Sequence, residues 1–272
     1  MKAKTKLLGL IFIYFLMYGD VKAQSLYHQL GVDSSSADKT NFNNSQGVAT
    51  QILGKKSQTF SGGGAHYFWV ATGIKEPTGT VFSQMGYHIS CNNCGMRPFI
   101  FTSGASIPAS NIFVVYNYFL PDNQYSTFWY ETNGVQNADG TYNWDFWFWY
   151  PGINDTKLTT LKFKTKNCTA PYAVSEVAGS RSPCNDAFNI TYGNGTSNNY
   201  ALFVRKNGIW NFIQHAISGY SYVNCTSTNV AGLGFQRFRT VIPQTRSTCS
   251  SYSCSNCNND PNCVVCGGCQ VW

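Results

Sequence analysis

Glu76, Glu131 and Glu176 are the only glutamates in this chain. A carboxylate placed inside an apolar stretch needs a physical reason, because burying it unpaired is costly. Glu76 precedes Pro77 in a segment that reads as a turn, whereas Glu131 closes the run Phe128-Trp129-Tyr130 and Glu176 sits within Tyr172 to Ala178. A carboxylate there can act as a general base toward a bound water. The competing reading for either glutamate is a carboxylate at a sheet edge, or one satisfied by a tyrosine hydroxyl.

Other chemistries lack their residues. His28, His66, His88 and His215 have no metal-ligand spacing, so no metal site and no cofactor are expected. The chain has no Gly-x-Ser-x-Gly elbow and no pair of glutamates along one strand in the manner of sandwich glucanases. Gly62-Gly63-Gly64 is followed by neither Lys nor a helical pattern and reads as a turn.

The elements that must position these groups are strands. Short runs dense in aromatic and branched residues are cut by Gly, Asn and Asp, with no amphipathic helical period. Strands are expected near 67–72, 80–90, 99–102, 112–118, 127–132, 143–150, 157–165, 172–178, 200–206, 209–216 and 235–242. Asn207-Gly208 and Asp139-Gly140 suit tight hairpins, since both pairs tolerate positive φ. The polar stretch from Ser34 to Ser45 reads as a loop or loose arm.

Two packed antiparallel sheets, an all-β sandwich, are the expected fold. Strand alternation sets Val81, Ser83, Met85, Tyr87 and Ile89 on one face of their strand. Phe82, Gln84, Gly86 and His88 take the other, where Gly86 would leave room for something to approach. Trp144, Phe146, Phe148 and Tyr150 alternate with Asp145, Trp147 and Trp149, so one aromatic face is either a groove wall or a second buried layer. Lys162, Lys164 and Lys166 alternate with Leu161, Phe163 and Thr165 as the wet face of a strand.

Lys2, Lys4 and Lys6 precede the apolar run Leu7 to Met17, which is too short to span a bilayer and reads as a signal peptide. Val21 and Ala23 supply the small residues for cleavage before Gln24. The expected organisation is therefore residues 1–23 as leader, 24–243 as the sandwich and 244–272 as a cysteine-rich tail. With no later apolar run of about 18 residues, no membrane anchor is expected and the protein should be secreted and extracellular. The net charge of +7 falls when Lys2, Lys4, Lys6, Lys22 and Asp20 leave with the leader, and scattered charges make nucleic acid an unexpected partner.

All 11 cysteines follow the leader, where an oxidising route makes disulfides the default. Cys249, Cys254, Cys257, Cys263, Cys266 and Cys269 crowd the tail and read as three disulfides rather than a zinc ribbon. Cys91-x-x-Cys94 reads as a loop-closing bond. The five cysteines outside the tail are an odd set, which leaves one free or bonded to another chain. Sequons stand at Asn43, Asn154, Asn167, Asn189, Asn194 and Asn224, so surface glycans are expected.

Four stretches in order, Trp69-Val70, Gln84-x-Gly86, Trp129-Tyr130-Glu131 and Ala170 to Glu176, resemble the secreted glutamic peptidases, or eqolisins. The resemblance implies a concanavalin-type jelly-roll sandwich with Gln84 and Glu176 as the catalytic pair: the carboxylate would take a proton from a water attacking a peptide carbonyl, and the uncharged amide would hydrogen-bond the oxyanion that develops, neither step needing a metal. It also implies that Trp69, Trp129 and Glu131 line the same groove. The chain departs from the family pattern at Tyr172, four residues before Glu176 where the family has Trp at three, and at Pro171 in place of an acid. Cys254-Ser-Asn-Cys257 followed by Asp260-Pro-Asn-Cys263-Val-Val-Cys266 resembles a PSI module, with Val265 where that family usually has Trp.

Two functions remain open on this reading: a metal-free glutamic endopeptidase, and a non-catalytic extracellular adhesion protein that binds carbohydrate or peptide. A bond between Cys168 and Cys184 would brace the strand of Glu176 in either case. N-terminal sequencing of the secreted protein should begin at Gln24, and enzymatic deglycosylation should lower its apparent mass; a start elsewhere refutes the leader boundary.

Overall fold

A computed structural model of the chain describes residues 26–55, 65–90, 94–106, 110–180, 190–193, 201–213, 215–221, 229–232, 238–241, 265–266 and 269–270. The leader, Cys184, four of the six tail cysteines and the sequons at Asn189, Asn194 and Asn224 lie outside these residues. The elements in chain order are β1 (Leu26–Ser34), α1 (Ser36–Asn41), β2 (Gly47–Leu53), β3 (Ala65–Glu76), β4 (Gly79–Ile89) and β5 (Arg97–Ala105). There follow β6 (Ser110–Val115), β7 (Tyr125–Gln136), β8 (Tyr142–Trp149), β9 (Thr156–Phe163), β10 (Tyr172–Ser180) and β11 (Thr191–Tyr192). The remainder are β12 (Leu202–Lys206), β13 (Ile209–Phe212), β14 (His215–Ser221), β15 (Asn229–Gly232), β16 (Phe238–Val241), β17 (Val265–Cys266) and β18 (Cys269–Gln270).

These strands form the expected antiparallel sandwich. A 7-stranded sheet runs β14-β1-β10-β3-β4-β5-β6, and a 9-stranded sheet runs β15-β16-β11-β2-β7-β8-β9 with the β12–β13 hairpin beside β2. Both hairpin turns read from the sequence are present: Asn207 and Gly208 both have positive φ, as has Gly140. In the tail β17 and β18 pair with each other.

Two of the longer strands, β1 and β2, escape the sequence pattern, as do the short β11, β15, β17 and β18. β1 contains Gly31 and Asp33, and β2 opens on Gly47, so neither shows a run of branched residues. Both acquire strand geometry by pairing, β1 between β10 and β14, and β2 against β7. The polar arm is not a loop throughout, because Ser35 caps the short helix α1 by accepting a hydrogen bond from the Asp38 amide at 3.2 Å.

The core lies between the sheets. Phe68, Val70, Met85, Tyr87, Ile89 and Ile100 of the seven-stranded sheet meet Phe128, Tyr130, Trp144, Phe146, Phe148 and Phe163 of the other. Trp144, Phe146 and Phe148 are thus the buried face of β8, which leaves Trp147 and Trp149 half-buried on the reverse. Leu161 and Phe163 point inward while Lys162 pairs with exposed Asp139 at 2.8 Å, as the alternation in β9 anticipates.

Buried tyrosines tie the layers together. Tyr130 reaches across from β7 to donate to the Ser83 carbonyl on β4 at 2.8 Å. Tyr87 on β4 donates to the Leu53 carbonyl of β2 at 3.1 Å, and Tyr192 on β11 to that of Val174 on β10 at 2.6 Å. Burial pushes all three phenols well above their usual pKa. Replacing Tyr130 with Phe removes its cross-sheet bond and should cost about 1 kcal/mol. A thermal midpoint lowered by a few degrees in calorimetry checks this; no change would show that the cross-sheet bond adds nothing.

Candidate functional site

Antiparallel register decides which side chains share a surface, because directly opposed residues point to the same face. Glu176 on β10 opposes Tyr67 on β3, which opposes His88 on β4. Tyr172 likewise opposes Ala71, which opposes Gln84, and Gln84 opposes Phe101 on β5. Gln84, Trp69 and Glu176 therefore all lie on the outer face of the seven-stranded sheet, turned away from the inter-sheet core.

They do not stand level. Gln84 and Glu176 flank β3 and are offset by four residues in the ladder. With about 3.3 Å per residue and about 4.8 Å between strands, an ideal sheet puts their Cα atoms roughly 16 Å apart. Trp69 occupies the midpoint of that diagonal, opposing Val174 on one side and Gly86 on the other. Its indole N–H donates to Glu176 Oε2 at 3.1 Å.

An aromatic layer surrounds the diagonal. Tyr67, Trp69, Phe99, Phe101 and Val174 form an apolar cluster separate from the inter-sheet core, with Phe82 and Tyr172 packed against it. The Trp69 ring meets Tyr172 edge-on at 5.6 Å and Phe82 at 6.0 Å. Trp69, Gln84 and Glu176 are only 2%, 3% and 7% exposed. Among the described residues nothing hydrogen-bonds the Gln84 amide.

Gly86 plays a different part from the one read in the sequence. A Cβ there would lie 1.8 Å from the Phe68 carbonyl oxygen, so the space is filled by the backbone of β3. The glycine permits the two strands to close rather than admitting a ligand. Tyr172 at four residues before Glu176 shares its face, since an even spacing preserves orientation in a strand.

Trp129 and Glu131 are elsewhere. Their neighbours Phe128 and Tyr130 point into the core, so both project from the outer face of the nine-stranded sheet, on the opposite surface of the sandwich. The expectation that they share a groove with Trp69 is thereby corrected: β7 belongs to the other sheet. Glu131 accepts from the Trp129 indole at 3.3 Å and pairs with Arg205 at 3.1 Å. The third glutamate, Glu76, is structural, accepting from the Ser106 hydroxyl at 2.8 Å and the Lys164 amide at 2.7 Å.

Cys168 is a free thiol, fully buried, and donates to the Ser45 carbonyl at 3.3 Å. The bond to Cys184 expected from the sequence is therefore absent, and the position is closed to any other chain. Burial raises its pKa to about 12, which leaves it inert. Cys94 is disulfide-bonded. Asn43 and Asn154 are exposed, and Asn167 is half-buried. Among the described residues no three His, Cys, Asp or Glu gather as metal ligands would.

No protein-family model matches the sequence, and no curated protein is significantly similar to it. Among solved structures, the chain overlaps a Scytalido-glutamic peptidase crystallised with a peptide-based transition-state analog, at 9% identity and a TM-score of 0.48. The overlap covers 80% of this chain and 98% of that one. A native heptameric SAP-like pentraxin from Limulus polyphemus overlaps at 8% identity and a TM-score of 0.25, over 58% of this chain and 59% of that one. The antiparallel ladders of the two sheets by themselves define the sandwich.

His88 completes the outer face at the level of Glu176. Burial first, and then the Arg97 charge, lower its pKa from 6.5 to about 4. Between those values the unfolded chain binds a proton that the folded chain refuses, so stability falls as pH drops from about 6.5 to about 4. Urea midpoints measured at pH 7, 5.5 and 4 should show a shallower acid loss in His88→Gln than in the parent; parallel curves would refute the assignment.

Proposed function

We propose that the chain is a secreted glycoprotein that hydrolyses polypeptides without a metal on the outer face of the seven-stranded sheet. Glu176 is the general base and Gln84 the oxyanion donor. The observation that supports this reading is the placement of an indole-held carboxylate and an uncommitted amide on one face, with Trp69 between them.

The separation has a chemical interpretation. Gln84 and Glu176 stand on either side of Trp69 with their Cα atoms roughly 16 Å apart, too far for one water shared by both groups. The substrate itself must therefore lie between them, with Glu176 on the attacking water and Gln84 on the carbonyl oxygen, at hydrogen bonds of about 2.7–3.1 Å. Glu176 removes a proton from the water as its oxygen bonds to the carbonyl carbon. The Gln84 N–H then holds the resulting oxyanion, and the proton passes from Glu176 to the leaving amine.

The surrounding rings supply the walls for an extended substrate, in keeping with apolar side chains beside the scissile bond. The near-complete cover of Trp69, Gln84 and Glu176 means that this face must open to admit a chain. Glu131 and Trp129 take no part in this reading, being on the other sheet.

Hydrolysis of an acid-denatured protein by the purified chain should fall about 10²- to 10⁴-fold in Glu176→Gln. In Gln84→Ala kcat should fall about 10²- to 10³-fold with little change in KM. Cleavage that survives the glutamate substitution, or no cleavage by the parent at any acid pH, refutes the mechanism.

A further inference from the structure

The outer face of the nine-stranded sheet carries a second set of groups that hydrolysis does not use. Register aligns Phe212, Phe203, Ala49, Trp129, Trp147 and Lys157 in one row across β13, β12, β2, β7, β8 and β9. From Phe212 to Trp147 the row crosses four strand spacings, about 19 Å, long enough for an oligosaccharide rather than a single ring. The Trp129 and Trp147 indoles lie parallel, 5° apart in plane with centroids at 6.0 Å. Phe212 is 51% exposed and Trp210 beside it 38%.

The polar groups along this row are paired into neutrality. Glu131 is matched by Arg205 at 3.1 Å, and Asp145 by Lys157 at 3.6 Å. Gly47 lies between Arg205 and Glu131 in the ladder, and a Cβ there would stand 2.8 Å from that of Glu131, so its absence lets the ion pair close. Lys157 also stands over the Trp147 ring at 5.3 Å. Such a face has no net charge with which to attract an anion or a cation. It offers flat ring faces, whose negative quadrupole attracts the polarised C–H groups of a sugar, beside charged pairs that exchange hydrogen bonds with hydroxyls.

We infer that this face binds a neutral oligosaccharide, which stacks on Trp129 and Trp147 and meets the Glu131–Arg205 and Asp145–Lys157 pairs with its hydroxyls. The site is independent of the hydrolytic reading and occupies the opposite surface of the sandwich. Its occupant is a glycan rather than a second copy, because a chain dimerising here would have to cover both ion pairs, and covering them costs desolvation with no matching charge gained.

Titration of the full secreted chain with cellohexaose and chitohexaose, followed by tryptophan fluorescence, tests this. Saturable quenching or a blue shift is expected with at least one. Trp129→Ala and Trp147→Ala should each bind about tenfold more weakly. Trp147→Phe, which keeps a ring, should retain more affinity than Trp147→Ala, and Phe119→Ala, which removes an exposed loop ring off this face, should match the parent. Circular dichroism establishes that each variant is folded. Absence of binding to both sugars, unchanged affinity in both alanine variants, tighter binding to heparin than to either neutral sugar, or indoles protected by self-association in sedimentation would each overturn the inference.

Discussion

Tyrosine hydroxyls bonded across a dry aromatic interior set the geometry on which both outer surfaces depend. Tyr130, Tyr87 and Tyr192 each carry a polar tip through the core to a carbonyl on the facing sheet. A hydroxyl buried without a partner would be costly, so each bond selects one offset between the sheets. Tyr130 also stacks on Phe146 at 4.8 Å, which links the cross-sheet bond to the packing of β8. Because Tyr130 is held inward, its neighbours Trp129 and Glu131 are held outward, and the same logic at Tyr87 turns Gly86 and His88 to the opposite surface.

The two outer faces differ in chemistry for that reason. On the seven-stranded sheet, the residues flanking β3 bring one carboxylate and one amide into an apolar layer. There the indole of Trp69 supplies the hydrogen bond that water would otherwise give Glu176. On the nine-stranded sheet, carboxylates and cations neutralise one another between partly exposed rings.

Glycine and cysteine illustrate how local signals acquire different meanings in three dimensions. Gly86 in a strand is compatible with either ligand access or close backbone approach, and the Phe68 carbonyl decides for the latter. Cys168 reads as a disulfide partner by compartment alone. Its burial beneath Ser45 and Ile74, with which it forms isolated bridges, makes it a core residue instead.

The strand content, the Asn207-Gly208 and Asp139-Gly140 turns, the inward face of β4 and the shared face of Gln84 and Gly86 all follow from the order of residues, because period-two alternation and positive φ are local properties. Residue order also singles out Glu131 and Glu176, since few carboxylates interrupt the apolar runs. Pairing is not local. Which strand lies beside which, the four-residue offset between Gln84 and Glu176, and the assignment of Trp129 to the opposite surface come from ladders between segments distant in the chain, as far as Leu30 from Ser221. Such ladders form only when the whole core closes, so the tertiary structure alone decided which of these groups meet.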